Sequence, residues 1–219
     1  MTLPNKNILV IKLGALGDFI QALGPMAAIR RHHPDAHITL LTTKPYEAFA
    51  LSCGACDRVW IDMKPRWHDV RGWMDLRLRL NAGDFTRVYD LQNNDRTAMY
   101  MRLLNPRPEW VGAARGASHR NTSPQRTAGL AFPGHVQTLA LAGIHDVKMD
   151  NLSWLEGDVR RFHLPDRYAL LVPGSAPGRP EKRWPAESFG VLAQAIDRMG
   201  YQPVIIGGAA EAETAQVIV

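Results

Sequence analysis

Residues 7–34 read NILVIKLGALGDFIQALGPMAAIRRHHP, and the order of events within them decides the fold class. Asn7 to Leu13 is an apolar, β-branched run without the alternation of a half-exposed strand, so it predicts a strand buried on both faces. Glycines follow at 14 and 17. From Phe19 to about His33 apolar residues recur at helical spacing, and Pro34 closes the helix. The unit is strand, glycine turn, helix.

The unit recurs along the chain. Strands are expected at His37–Thr42, Arg58–Met63, Thr86–Leu91 and Glu109–Ala113, the last of the series, with helices at Pro45–Ser52, Asp69–Leu80 and Asn94–Leu104. A Gly, Ser, Thr, Asn and Arg-rich loop covers 112–133 and precedes a helix from about Gly134 to Ala142. After an irregular stretch ending at Pro165 the pattern restarts with a strand at Tyr168–Val172, a loop at 173–184 and a helix at Pro185–Met199. A strand at Pro203–Ile206 and a helix from Ala209 complete it. Alternating strands and helices define an α/β doubly wound parallel sheet, Rossmann-like, over residues 1–165, with a second α/β domain beginning at 166–219. Two strands and two helices cannot cover a sheet, so the expectation is a two-domain protein of which this sequence holds the first domain and the opening of the second.

Composition narrows the class further. With 219 residues, 46% hydrophobic and 21% charged, the chain is globular, neither disordered nor repetitive. The N-terminus does not read as a signal peptide and no run is long enough for a membrane span, which together with two cysteines at C-x-x-C spacing, Cys53 and Cys56, read as a buried structural pair, predicts a cytoplasmic protein. Between Lys64 and Arg126 there are twelve Lys and Arg against six acids, while the remainder carries 14 basic and 15 acidic residues. The whole excess of charge lies mid-chain, which suits either an anionic partner or a solvated basic face.

Two segments carry chemistry. In Lys12-Leu13-Gly14-Ala15-Leu16-Gly17-Asp18 a carboxylate stands at the mouth of a helix after a glycine that permits close backbone approach. It is neither a dinucleotide fingerprint nor a Walker loop. Asp18 reads either as a helix-capping or first-turn acid or as a general base at the sheet edge. In Pro173-Gly174-Ser175 and Arg179 to Pro185 a strand runs into a loop bearing a hydroxyl and three cations, a composition suited to a diphosphate. Trp184 stacks on a base or packs beneath the loop.

LVIKLGALGDFIQALGPMAAIRRHHPDAHITLLT (9–42), with PGS (173–175) and EKRWPAESFGVLAQAI (181–196), resembles glycosyltransferase family 9, the ADP-heptose:lipopolysaccharide heptosyltransferases. The resemblance runs through the whole chain and implies the N-terminal domain and the start of the C-terminal domain of a GT-B enzyme. It implies an acceptor-binding first domain and a nucleotide-sugar-binding second domain. Asp18 would be the base that deprotonates the acceptor hydroxyl. Ser175, Arg179 and Lys182 would hold the donor diphosphate. Lys12, Gly17, Asp90, Gln92, Lys64 and Arg66 would face the acceptor, and His135 matches a family histidine with a structural role. The stretch Lys64-Pro65-Arg66-Trp67-His68 is a thinner basic cluster than family members acting on the inner-core sugar acid carry. The implied partners are an ADP-sugar donor, ADP-heptose first, and a lipopolysaccharide core or lipid A-type acceptor. Peripheral contact with the inner face of the inner membrane is also implied. No metal, cofactor or nucleic acid is expected. The family's late glycine-rich donor segment lies past Val219, so these residues alone are expected to bind donor poorly and to be inactive. The rival readings are a non-catalytic nucleotide- or sugar-binding α/β module and an RNA-binding protein, the second lacking any RRM, KH or dsRBD signature.

Overall fold

The computed structural model describes residues 6–175 and 180–218. The chain divides into two compact units, one ending at Glu156 and one starting at Gly157, earlier than the 165/166 division read from Pro165.

In the first unit six strands, β1 (Asn7–Ile11), β2 (His37–Thr42), β3 (Arg58–Ile61), β4 (Arg87–Asp90), β5 (Glu109–Gly112) and β6 (His119–Arg120), form one sheet in the order β3-β2-β1-β4-β5-β6. Every pairing is parallel. Strand β1 shows why its sequence is uninterrupted apolar: Ile8 and Val10 enter one core cluster while Leu9 and Ile11 enter the other. Alternate side chains point to opposite faces, and both faces are covered.

One face carries α1 (Leu16–His32), α2 (Glu47–Ser52) and α5 (Ala131–Ala140); the other carries α3 (Val70–Ala82) and α4 (Asp95–Leu103). Phe19, Leu23, Met26 and Ile29 of α1 bury at helical spacing against Tyr89 and Val111. Midway along α1, a Cβ added to Gly24 would lie 1.9 Å from the Lys148 carbonyl oxygen. The chain following α5 is thus laid directly on the helix backbone. Gly24→Ala must push residues 148–150 away, and we expect a loss of about 1–3 kcal/mol. Thermal unfolding checks this, each kcal/mol moving Tm by roughly 2–4 °C; an unchanged Tm would mean the segment yields freely.

Two expectations need correction. Glu109–Gly112 is not the last strand of the sheet: β6 pairs beyond it, Val111 with His119 and Gly112 with Arg120. Two polar residues carry no hydrophobic period, and only the backbone ladder reveals them. The cysteine pair is only half-buried; both Sγ atoms donate to the Ala50 carbonyl at 3.3 Å, where α2 ends.

The second unit, by itself, holds a parallel pair β7 (Tyr168–Leu171) and β8 (Gln202–Ile205) with α6 (Ala186–Arg198) and α7 (Ala212–Ile218). Leu171, Ala193 and Ile218 form its small core, and Leu170 and Val191 remain exposed. Together the units give the α/β fold class of a doubly wound sheet followed by the opening of a second Rossmann-like unit.

Candidate functional site

Strand order reverses between β1 and β4, since β1 runs on through β2 and β3 to one edge and β4 through β5 and β6 to the other. Loops leaving the carboxyl ends of these two strands must turn to opposite faces, which opens a crevice between them. Both candidate cavities lie there.

The first, of about 230 Å³, is lined by Lys12, Asp18, Gln92, Asn93, Arg126 and His135, among others. Asp18 comes from the first turn of α1, whose N-cap is Ala15 and carries no side-chain cap. It is therefore not the capping residue. Its carboxylate is exposed and takes part in no hydrogen bond or ion pair among the described residues, while the helix N-terminus favours its negative charge.

Lys12 continues β1 into the cavity wall. It is only 3% exposed, and its Nζ donates to the Leu91 carbonyl at 3.3 Å. Burial lowers its pKa, while the charges of Asp18 and Asp90 pull it back up. Gln92 is fastened to the neighbouring strand end, its Oε1 accepting from the Leu13 N–H at 2.9 Å.

Asp90 lines neither cavity. It is 1% exposed and lies behind the cavity wall, Oδ1 accepting from the N–H groups of Gln92 and Asn93 at 3.0 and 2.8 Å and Oδ2 from the Thr97 hydroxyl at 2.7 Å. Burial pushes its carboxyl up to about 6 despite those hydrogen bonds and the Lys12 charge. It is a positioning residue for Gln92 and Asn93.

Gly17 borders open space, and its neighbour in the turn differs from it. An added Cβ at Gly17 would meet nothing within 4 Å, whereas Gly14 has φ +121° and a Cβ there would lie 2.6 Å from the Tyr46 ring. The close approach and the unusual backbone belong to Gly14.

The far wall is built by the 112–133 loop and α5. Asn121 donates to Thr138 Oγ1 at 3.0 Å, and Thr138 donates to the Gly134 carbonyl at 2.8 Å. At Gly134 an added Cβ would stand 2.1 Å from the Arg126 carbonyl oxygen, so glycine is what brings the Arg126 backbone onto α5. Gln21 of α1 accepts from the Phe132 N–H at 3.1 Å and ties the helix start down. His135 is 5% exposed and lines the cavity, and its Nε2 has no partner among the described residues. Burial, then the Lys12 charge, lowers its pKa to about 4.

That depression makes a signed prediction. Between about pH 6.5 and pH 4 the unfolded chain takes up a proton that folded His135 refuses, so stability falls as pH drops, by up to roughly 3 kcal/mol. His33, also lowered to about 4, acts in the same direction. Asp90, raised to about 6, opposes both, because the folded state holds its proton more tightly. The expected result is that His135→Gln gains stability over wild type progressively below about pH 6.5. Urea unfolding across that range measures it; a constant difference would mean His135 is protonated in the folded protein.

The second cavity, about 460 Å³, is bounded by Gly14, Tyr46, Lys64, Gln92, Asn94 and Arg96, among others. Lys64, at φ +49°, is set by Asp62, which accepts from the Lys64 N–H at 2.8 Å and from the Tyr100 hydroxyl at 2.6 Å. Arg66 reaches neither cavity. Arg96 does: its guanidinium lies over Trp67 and Trp73 at 5.2 and 5.6 Å and donates to the Pro65 carbonyl at 3.1 Å. In the sequence Arg96 and Arg126 read equally as contacts for an acceptor phosphate and as solvated cations.

In the second unit Arg183 donates to Ser175, Nε to the hydroxyl at 3.3 Å and Nη2 to the carbonyl at 3.2 Å. Lys182 ends a short helical turn and is exposed. Trp184 is half-exposed with its ring edge-on to Phe189. Arg179 lies outside the described residues. Among the described residues no group of three or more His, Cys, Asp or Glu gathers as metal ligands, and no helix is long and apolar enough to cross a membrane.

Residues 73–219 match the family model of glycosyltransferase family 9 (heptosyltransferase). Among solved structures the chain is similar to a glycosyl transferase family 9 protein from Veillonella parvula, with TM-score 0.76 and 25% identity over 100% of this chain and 67% of that one. It also resembles E. coli ADP-heptose LPS heptosyltransferase II, with TM-score 0.67 and 20% identity over 97% of this chain and 67% of that one. A third likeness is to E. coli heptosyltransferase WaaC with ADP-2-deoxy-2-fluoro heptose, with TM-score 0.66 and 18% identity over 97% and 72% of the two chains. The two E. coli likenesses are likenesses of fold. No curated protein matches the sequence.

Proposed function

The chain belongs to glycosyltransferase family 9, and on that footing we propose that it serves an inverting transfer of heptose from ADP-heptose to a lipopolysaccharide core acceptor, with Asp18 as general base. The observation that carries this reading is the pairing of an exposed, unengaged carboxylate with Lys12 and Arg126 in one cavity at the strand-order reversal. A hydroxyl of an anionic sugar suits such a cavity, its charge meeting the cations and its proton meeting the acid.

In the proposed step the acceptor hydroxyl gives its proton to the Asp18 carboxylate as its oxygen forms a bond to the anomeric carbon. The bond from that carbon to the diphosphate oxygen breaks on the opposite face, the configuration inverts, and ADP departs with the electron pair. Cations and a hydroxyl donor hold the charge that grows on the leaving group; Lys182 and Arg179, with the Ser175 hydroxyl, are the proposed contributors. Lys12, Gln92 and Lys64 would orient the acceptor. The reading uses no cofactor besides the donor and places the protein on the cytoplasmic side of the inner membrane, in peripheral contact with it.

The test uses the full-length protein that carries this sequence, mixed with ADP-heptose and a truncated lipopolysaccharide core. The expected result is ADP released in equal amount to acceptor gaining one heptosyl mass. Donor binding with no turnover across a panel of acceptors would overturn the proposal in favour of a non-catalytic sugar-nucleotide module.

A further inference from the structure

The turn that closes α2 holds two thiols against one oxygen. Cys53 is the C-cap of the helix, and Gly54, at φ +67°, separates it and Ala55 from Cys56. A left-handed glycine just past a helix end turns the chain back on the helix. Both sulfurs are thereby brought to the Ala50 carbonyl, each at 3.3 Å. That carbonyl belongs to the last turn of α2 and accepts from no backbone N–H among the described residues. Groups that share one acceptor atom are neighbours of each other. When Cys53 gives up its proton, the Cys56 S–H is in reach of the bared sulfur and hydrogen-bonds to it.

Two familiar roles of this spacing do not fit. Among the described residues no further His, Cys, Asp or Glu gathers with the pair as a metal site. The pair also closes a helix where disulfide-exchange catalysts open one, so no helix N-terminus supports a thiolate. What supports it is the second thiol. That hydrogen bond lowers Cys53 to about 7 against the opposing effect of burial, while Cys56 is pushed up, first by the same bond and then by burial. The charged groups acting on the pair are Asp150 in the chain following α5, Asp57 just before β3 and Arg30 of α1. One sulfur is thus a nucleophile near neutral pH and its neighbour keeps a proton. Both are half-buried against the first core cluster, while Gly54 between them is exposed, which leaves a small solute access.

We propose that Cys53 and Cys56 are a peroxide-oxidised dithiol, with Cys53 the attacking sulfur and Cys56 the resolving one. The Cys53 thiolate attacks one peroxide oxygen. The O–O bond breaks, the other oxygen leaves as hydroxide and takes up the proton that Cys53 had lost, and Cys53 becomes a sulfenic acid. The Cys56 sulfur then attacks the Cys53 sulfur; the S–S bond forms, the S–O bond breaks, and the departing hydroxide carries off the Cys56 proton as water. Both thiols are oxidised and the peroxide is reduced to water. A resolving sulfur this near closes the disulfide before a further peroxide drives Cys53 to an irreversible sulfinic acid. Disulfides of this kind are transient and redox-sensing in a reducing compartment. Neither cysteine lines either cavity, so the inference is independent of the transfer chemistry.

The full-length protein is treated with equimolar hydrogen peroxide, alkylated and digested with trypsin. Trypsin does not cut between Lys44 and Pro45, so both cysteines stay in the peptide 32–58. That peptide is expected unalkylated and lighter by two hydrogens, and dithiothreitol is expected to restore it to a form that alkylates at both cysteines. Cys56→Ser should stop at the sulfenic acid, which dimedone traps on Cys53. Cys53→Ser should react at least about tenfold more slowly, because Cys56 keeps its proton at neutral pH. The wild-type rate should level off above about pH 7, where an ordinary thiol, at about 8.5, is still gaining thiolate. A peptide that peroxide leaves unchanged would overturn the proposal. So would dimedone capture on Cys56 in Cys53→Ser as fast as on Cys53 in Cys56→Ser, or a disulfide from either residue to another chain or to any other cysteine.

Discussion

Asp18→Asn is expected to lower the turnover of heptosyl transfer by about 10²–10⁴-fold, the contribution a positioned general base makes. The substitution keeps the side chain's shape and leaves the first turn of α1 intact, since Asp18 takes part in no hydrogen bond among the described residues. What is lost is the capacity to take a proton, because an amide oxygen is far less basic than a carboxylate. The effect should fall on kcat and leave the donor KM near wild type, the signature of an interaction made in the transition state. Its Coulombic support of the Lys12 charge also disappears, so any pH dependence of kcat/KM that comes from Lys12 shifts downward. Steady-state ADP release over a pH series measures both. Equal turnover by wild type and variant would keep the enzyme and remove Asp18 from its chemistry.

The second large effect is expected at Asp90, which the sequence reading placed in contact with acceptor. Asp90→Ala strips the acceptor from the Gln92 and Asn93 N–H groups and from the Thr97 hydroxyl in a fully buried place, and leaves the buried Lys12 with one less counter-charge. Unpaired buried donors cost about 1–3 kcal/mol each, and such losses are not additive, so the expected total is about 3–5 kcal/mol. That corresponds to a fall in Tm of roughly 10 °C or more. Asp90→Asn keeps one oxygen for the two N–H groups and should lose less. Calorimetry of both variants distinguishes this from an acceptor-contacting role, in which activity would fall with Tm unmoved.

Most of the architecture was readable because burial on two faces writes itself into composition. The runs at 7–13 and 37–42 are strands and little else, and the Gly14–Gly17 turn announces a helix whose first turn holds Asp18. What stayed unread shares a cause. In a sheet covered on both faces, alternation cannot say which way Asp90 points, since neither face is marked polar. Gly14 and Gly17 look alike as letters, and only the backbone angle and the Tyr46 ring separate them. Arg96 earns its place by lying over two tryptophans of another element, a pairing across the fold that no local pattern encodes. On α3 the exposed row Val70, Met74 and Leu78 was indistinguishable from the core residues Leu76 and Leu80, because both obey the same period.

The 112–133 loop is rich in Gly, Ser and Thr, yet it is pinned at Asn121, whose N–H donates to Gly112 and whose side chain donates to Thr138, and at Arg126 against Gly134. The configurational freedom of that wall is therefore surrendered when the chain folds and not when a ligand arrives. An anionic sugar would meet a finished mould, so its calorimetric heat-capacity change should track the ligand's own buried surface, with no added increment from a segment condensing around it.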